Sequence, residues 1–152
     1  AWSTRNPTLP LNSAYDALIL ASIVEKEAAV DFEKPLIASV FTARLARGMR
    51  LQADPTVAYG LGLGFKSQLT RTHLASDTPY NTYTRKGLPP SPISNPGRAA
   101  LAAATQPAET KFLYFVARGN GEHQFSATYR EHQKAVLAYR QTRQRPSSRK
   151  QK

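Results

Sequence analysis

Ala17-Leu-Ile-Leu-Ala-Ser-Ile-Val-Glu-Lys-Glu27 reads as an apolar helix that ends in two carboxylates. At about 100° per residue, Ile19, Leu20, Ile23 and Val24 share one arc of that helix. Glu27 falls inside the same arc, one turn beyond Ile23 and Val24, whereas Glu25 points to roughly the opposite side. A carboxyl group at the end of a core-facing stripe is costly to ionise. Burial favours its neutral form and raises its pKa, which is what a general acid needs. The same placement also suits a snorkelling or salt-bridged glutamate at a helix end, so spacing alone leaves both readings open.

Outward from this segment, Ser13 is placed to cap a first helix running from about Ala14 to Ala29, with Asp16 in its first turn. Lys34 to Arg47 forms a second helix, with Leu36, Ile37, Val40, Phe41 and Leu45 at helical spacing and Gly48 at its end. From Met49 to Thr84 regular signals are weak and polar and aromatic residues alternate, a composition expected of binding loops on a rigid scaffold. Gly87 to Gly97 is a proline-punctuated connector. Asn95 and Pro96 read as the N-cap and first residue of an Ala-rich helix to about Thr105. Lys111 to Ala117 is the clearest strand, Arg118 to Glu122 a turn, and His123 to Ala127 the returning strand of a hairpin. Thr128 with Glu131 has the capping-box pattern opening a last helix to about Arg140. The order of elements predicts an α+β domain in which helices pack with a small antiparallel sheet. Three segments are expected: a linker or extended lead-in at 1–12, one folded domain at 13–140, and a disordered basic tail at 141–152.

The 152 residues suffice for one domain with a real core, and 41% hydrophobic content argues against wholesale disorder. No apolar run is long enough to span a membrane. Ala1 is the first residue and Met49 the only methionine, so the chain is expected to be a fragment or a processed product. There is no cysteine, hence no disulfide framework and no thiolate metal site. The net charge of +11 favours polyanions, but much of it lies in the apolar-free stretch Arg140 to Lys152. No specific nucleic-acid motif accompanies it.

The common phosphate-loop, dinucleotide, zinc-protease and serine-hydrolase motifs are missing. His73, His123 and His132 are far apart in sequence, so no metal site is expected. Tyr80 and Tyr83 can stack on sugar or base faces, and Asp54 reads as a turn or helix-cap residue. Glu27 remains the main acid candidate. Glycoside hydrolysis usually needs two carboxylates, and Glu25 cannot partner Glu27, because i and i+2 face apart on a helix. A second acid would come from Asp54 or Asp77. A reaction that uses a hydroxyl of the substrate in place of water needs only one.

A set of ordered motifs carries a resemblance. These are Ala21-Ser-Ile-Val-Glu-Lys-Glu27, Val40-Phe41 with Arg44-Leu45, Gly48-Met-Arg-Leu-Gln-x-Asp-Pro-Thr-Val57, Tyr80-Asn-Thr-Tyr83, Gly87-Leu-Pro-Pro90, Ile93 with Asn95-Pro-Gly97, and Leu113-Tyr-Phe-Val116 with Gly121 and His123-x-Phe125. Together, over roughly Ala17 to Tyr139, the chain resembles the endolytic murein transglycosylase family (YceG-like, MltG). The Ile-Val-x-x-Glu spacing is also similar to the catalytic helix of lysozyme-like transglycosylases.

The resemblance implies internal cleavage of peptidoglycan glycan strands between N-acetylmuramic acid and N-acetylglucosamine, leaving 1,6-anhydromuramic ends, with no metal or cofactor. It implies Glu27, in the Glu-Lys-Glu motif, as the catalytic acid/base. Glu25, Gln52, Asp54, Thr56, Asn81 and Tyr83 are then the expected substrate contacts. It also implies an N-terminal anchor and a LysM-like subdomain, both missing from these residues, a location at the periplasmic face of the bacterial inner membrane, and work alongside peptidoglycan synthases. A peptidoglycan-binding or basic nucleic-acid-binding module without catalysis is the alternative.

Overall fold

The computed structural model describes residues 1–144. Its regular elements are α1 (Ala14–Glu27), α2 (Lys34–Ala46), α3 (Asp54–Gly60), α4 (Arg71–Ala75), α5 (Arg98–Thr105), β1 (Tyr114–Ala117), β2 (His123–Ser126) and α6 (Tyr129–Gln144). This is the α+β arrangement the sequence order indicates. The strands pair antiparallel, with Phe115 opposite Phe125 and Ala117 opposite His123. Gly119 and Gly121, at φ +91° and +86°, supply the left-handed residues that the five-residue connection needs.

α1 is the central helix and packs against both α2 and α5. Ser13 caps it by accepting from the Asp16 N–H at 3.2 Å, and the Asp16 carboxylate accepts from the Asn12 N–H at 3.0 Å. Leu20, Ile23, Val24, Ile37, Val40 and Phe41 are completely buried between the helices. Ala100, Ala103 and Ala104 form the buried face of α5, and their small side chains let that short helix approach α1 closely. The proline-rich connector is fastened to the middle of α1. Ser22 Oγ accepts from the Ile93 N–H at 3.0 Å while donating to the Ile19 carbonyl, and the Ser22 carbonyl accepts from Ser94 Oγ. The hairpin is tied to the start of α2 by the buried Glu33, which accepts from the His123 N–H at 2.9 Å and pairs with its ring Nδ1 at 3.0 Å.

Several boundaries differ from the sequence expectation. α1 ends at Glu27 because Ala28 turns into an extended conformation, so Glu27 sits on the helix terminus. α5 is capped by Gly97, not Asn95. The Gly97 N–H donates to Glu25 Oε1 at 3.2 Å, and the helix starts only after that tether. β1 starts at Tyr114, because Phe112 turns back on Thr110 before the ladder begins. The stretch from Met49 to Thr84 is not all loop but contains α3 and α4. The 1–12 segment lies against the body of the fold: Leu11 is buried, Trp2 and Leu9 pack on the core, and the Asn6 N–H donates to the Thr105 carbonyl. The first four residues of the expected tail, 141–144, continue α6; the rest of that tail lies outside the described residues. Among the described residues no helix is long and apolar enough to cross a membrane.

Candidate active site

Glu27 is the last residue of α1, directly above the buried Ile23 and Val24, and retains a partial opening to solvent. Burial pushes its carboxyl from the ordinary 4.5 up to about 8. The nearby negative charge of Asp54 adds to the rise, and the Asp54 backbone N–H opposes it. Its place at the carbonyl end of α1 acts in the same direction, since the helix dipole disfavours an anion there. The side chain therefore keeps its proton at neutral pH while staying partly open to solvent.

Asp54 is brought to Glu27 by α3, which packs its first turn against α1. An acid at that position suits the N-terminal dipole of α3. Its Oδ1 accepts the hydrogen bond of the Tyr83 hydroxyl. Burial, then the charge and hydrogen bond of Asp54, then the charge of Glu27 hold the Tyr83 phenol well above its usual range, so it serves only as a neutral donor. Gln52, two residues before Asp54, is exposed and sits at φ +52°, the only left-handed non-glycine residue described. Strain of this kind persists where the surroundings dictate it. Here the Gln52 N–H is held by the Thr82 carbonyl at 3.1 Å and its side-chain oxygen faces Arg44.

The remaining expected contacts do not join Glu27, Asp54 and Tyr83. Asn81 is 1% exposed, and its amide is fully used. It donates to the Leu74 and Ser76 carbonyls and accepts from the Tyr83 and Thr84 N–H groups. No hydrogen-bonding capacity remains for a sugar, so Asn81 is the organiser of the loop that presents Tyr83. Thr56 is completely buried, donating to the Ala53 carbonyl and pairing with Thr82 Oγ1 at 2.8 Å; it fixes α3 from beneath. Glu25 lies on the other side of α1, as the wheel requires, bound to the Gly97 N–H and 3.7 Å from Lys34 Nζ. Asp77 is bound to Arg85 and Thr84, which hold its carboxyl down at about 2. Tyr80 faces inward too, its hydroxyl 2.6 Å from Ser91 Oγ and its ring against Tyr59. The three histidines stay apart: His73 caps its own helix, His123 holds Glu33, and His132 stacks on Tyr114.

Arg44, part of the Arg44-Leu45 motif but not among the expected site residues, also lies near this group. This side chain is buried in α2, where Nε donates to the Leu113 carbonyl at 2.7 Å and Nη1 to the Arg50 carbonyl at 3.0 Å. Burial lowers its pKa from the ordinary value. Its sequence signal is a charge on the Ile37, Val40, Phe41 stripe, as Glu27 sits on that of α1.

Known proteins share this sequence and fold. Residues 2–138 match the YceG-like family, and the chain belongs to that family. A relative in Bacillus subtilis, named endolytic murein transglycosylase, is 44% identical over 127 residues, 84% of this chain and 35% of the relative. One of the same name in Streptococcus pneumoniae is 38% identical over 106 residues, 67% of this chain and 19% of the relative. The chain thus spans about a third or less of these curated relatives. A solved structure of a yceG-like protein from Listeria monocytogenes superposes with a TM-score of 0.77 at 49% identity, covering 80% of this chain and 40% of that one.

Proposed function

We propose that this domain cleaves peptidoglycan glycan strands internally as a lytic transglycosylase, with Glu27 as the single general acid and base. The observation that carries the reading is the Glu27 carboxyl at the end of α1, raised to about 8 beside Asp54 and Tyr83. The relatives named endolytic murein transglycosylase support the choice of substrate.

In this reading protonated Glu27 donates its proton to the glycosidic oxygen between N-acetylmuramic acid and N-acetylglucosamine as the bond breaks. The muramic ring passes through an oxocarbenium-like state. Glu27, now a carboxylate, takes the proton of the C6 hydroxyl of the same sugar, whose oxygen bonds to C1. Intramolecular attack has a large effective-molarity advantage over water. The product is a 1,6-anhydromuramic end, and Glu27 is again protonated. Asp54 keeps Glu27 protonated in the free enzyme and faces the developing positive charge, while Tyr83 holds Asp54 in place. Gln52 is the exposed polar group available to orient a sugar. Function at the outer, periplasmic face of the inner membrane, beside peptidoglycan synthases, belongs to the same proposal.

The closeness of Asp54 to Glu27 favours one second reading, a hydrolase in which Asp54 activates water. Digestion of purified glycan strands followed by mass spectrometry of the ends separates the two. Anhydro ends from the wild type, none from Glu27→Gln and retained activity in Glu25→Gln are expected. Ordinary reducing ends would establish the hydrolase instead.

A further inference from the structure

A groove of about 420 Å³ is lined by Arg44, Arg50, Gln52, Lys86, Tyr114 and Tyr129, together with Gly48 and Met49. Three cations and no carboxylate line it. Arg44 is the decisive member. It is 7% exposed, yet among the described residues no Asp or Glu lies within ion-pair distance of it. Its Nε and Nη1 are spent on carbonyls and on Gln52, while Nη2 has no hydrogen-bond partner among the described residues. A guanidinium buried without a counter-charge is costly, and an anion arriving in the groove relieves that cost. Arg44 also packs 5.1 Å from the Tyr114 ring centroid, and Tyr129 and His132 flank that ring, so the groove has a stiff aromatic wall. Gln52 belongs both to this groove and to the strained turn that leads into Asp54, which makes the two sites continuous.

We propose that this groove is a carboxylate-recognising subsite that engages the anionic groups carried by muramic residues of the strand next to the bond being cut. Those groups are stem-peptide carboxylates or, where the peptide has been removed, the lactyl carboxylate. The inference rests on the glycan reading for its substrate, but its geometry is independent of Glu27. Arg44 supplies the planar fork suited to a carboxylate, and the exposed Arg50 and Lys86 draw the anion in. The exposed Tyr129 ring, tilted 54° from Tyr114, offers a face against which a short peptide or a sugar lies.

The test is binding to the inactive Glu27→Gln protein, so that cleavage does not enter. The probes are a soluble glycan tetramer bearing stem peptides, the same tetramer after enzymatic removal of the peptides, neutral chitotetraose, and an octathymidylate. Both anionic glycans are expected to bind more tightly than chitotetraose, with the advantage fading at high salt. Adding Arg50→Gln and Lys86→Gln is expected to weaken the anionic probes about fivefold or more, as two partly exposed ion pairs allow, while chitotetraose changes little. Loss confined to the peptide-bearing tetramer assigns the stem; loss for both assigns the lactyl group. Unchanged affinity in the double variant would overturn the proposal. So would an equal loss in an Arg98→Gln, Lys111→Gln control outside the groove, or tighter binding of the oligonucleotide at the same residues. If the wild type makes no anhydro ends but this charge-dependent glycan binding stands, the proposed reaction fails and the subsite survives.

Discussion

Replacing Glu27 by glutamine should stabilise the protein in a way that depends steeply on pH. The carboxyl has an ordinary value of 4.5 and is raised to about 8 in the fold. Below 4.5 folded and unfolded chains both carry the proton, and the group contributes no penalty. Between the two values the unfolded chain has released the proton while the folded one keeps it, so stability falls as pH rises. Above about 8 the folded chain holds a charge in a poorly solvated site, and the loss is complete. At about 1.36 kcal/mol per unit, that span is worth about 5 kcal/mol. The solvent-facing edge of Glu27 trims the measurable gain to a few kcal/mol. Glutamine has nearly the same shape and no proton to lose. Urea unfolding of wild type and Glu27→Gln at a series of pH values reads the difference directly. It should be near its minimum at about pH 4, widen through neutrality and level off above about pH 8, where each kcal/mol moves the melting temperature by roughly 2–4 °C. A difference that stays flat across this range would refute the idea that Glu27 is held neutral by its site.

Removing the charge of Asp54 with Asp54→Asn should lower the Glu27 pKa, shifting the alkaline limb of the activity profile toward acid by about one pH unit; an unmoved limb in kcat/KM would remove Asp54 from that role. Asn81→Ala should destabilise by about 1–3 kcal/mol, because four backbone partners lose their bonds, and activity should fall with the folded fraction, as parallel denaturation and turnover measurements would show. Leu20→Ala, at the fully buried centre of α1, should cost about 2–5 kcal/mol by urea denaturation, since the close-packed alanines of α5 cannot fill the space.

The elements that the sequence makes legible are those with a periodic apolar face, a strand pattern or a cap signal: α1, α2, α5, the 114–126 hairpin and α6. α3 and α4 escaped because two turns or fewer give no periodicity and cannot hold themselves. α3 is held by partners far along the chain, with the Ala53 N–H bonded to Thr82 Oγ1 at 2.9 Å and Thr56 paired with the same hydroxyl. Glu27 could be read because its cost is local to one helix wheel. The Asp54–Tyr83 pair could not, since 29 residues separate the partners and only the folded α3 joins them. Asn81 and Thr56 read as substrate contacts in sequence because a polar residue looks the same there whether it faces a ligand or its own backbone. Arg44 bears the same mark as Glu27, a charge on an apolar stripe, but a long basic side chain there usually reaches solvent, so spacing alone does not show its burial.

Digestion of purified glycan strands in oxygen-18-labelled water tests the central claim most directly. With Glu27 as the acid of an intramolecular reaction, the wild type yields unlabelled 1,6-anhydromuramic ends and folded Glu27→Gln yields none. Labelled reducing ends, or anhydro ends formed at an undiminished rate by Glu27→Gln, would contradict it.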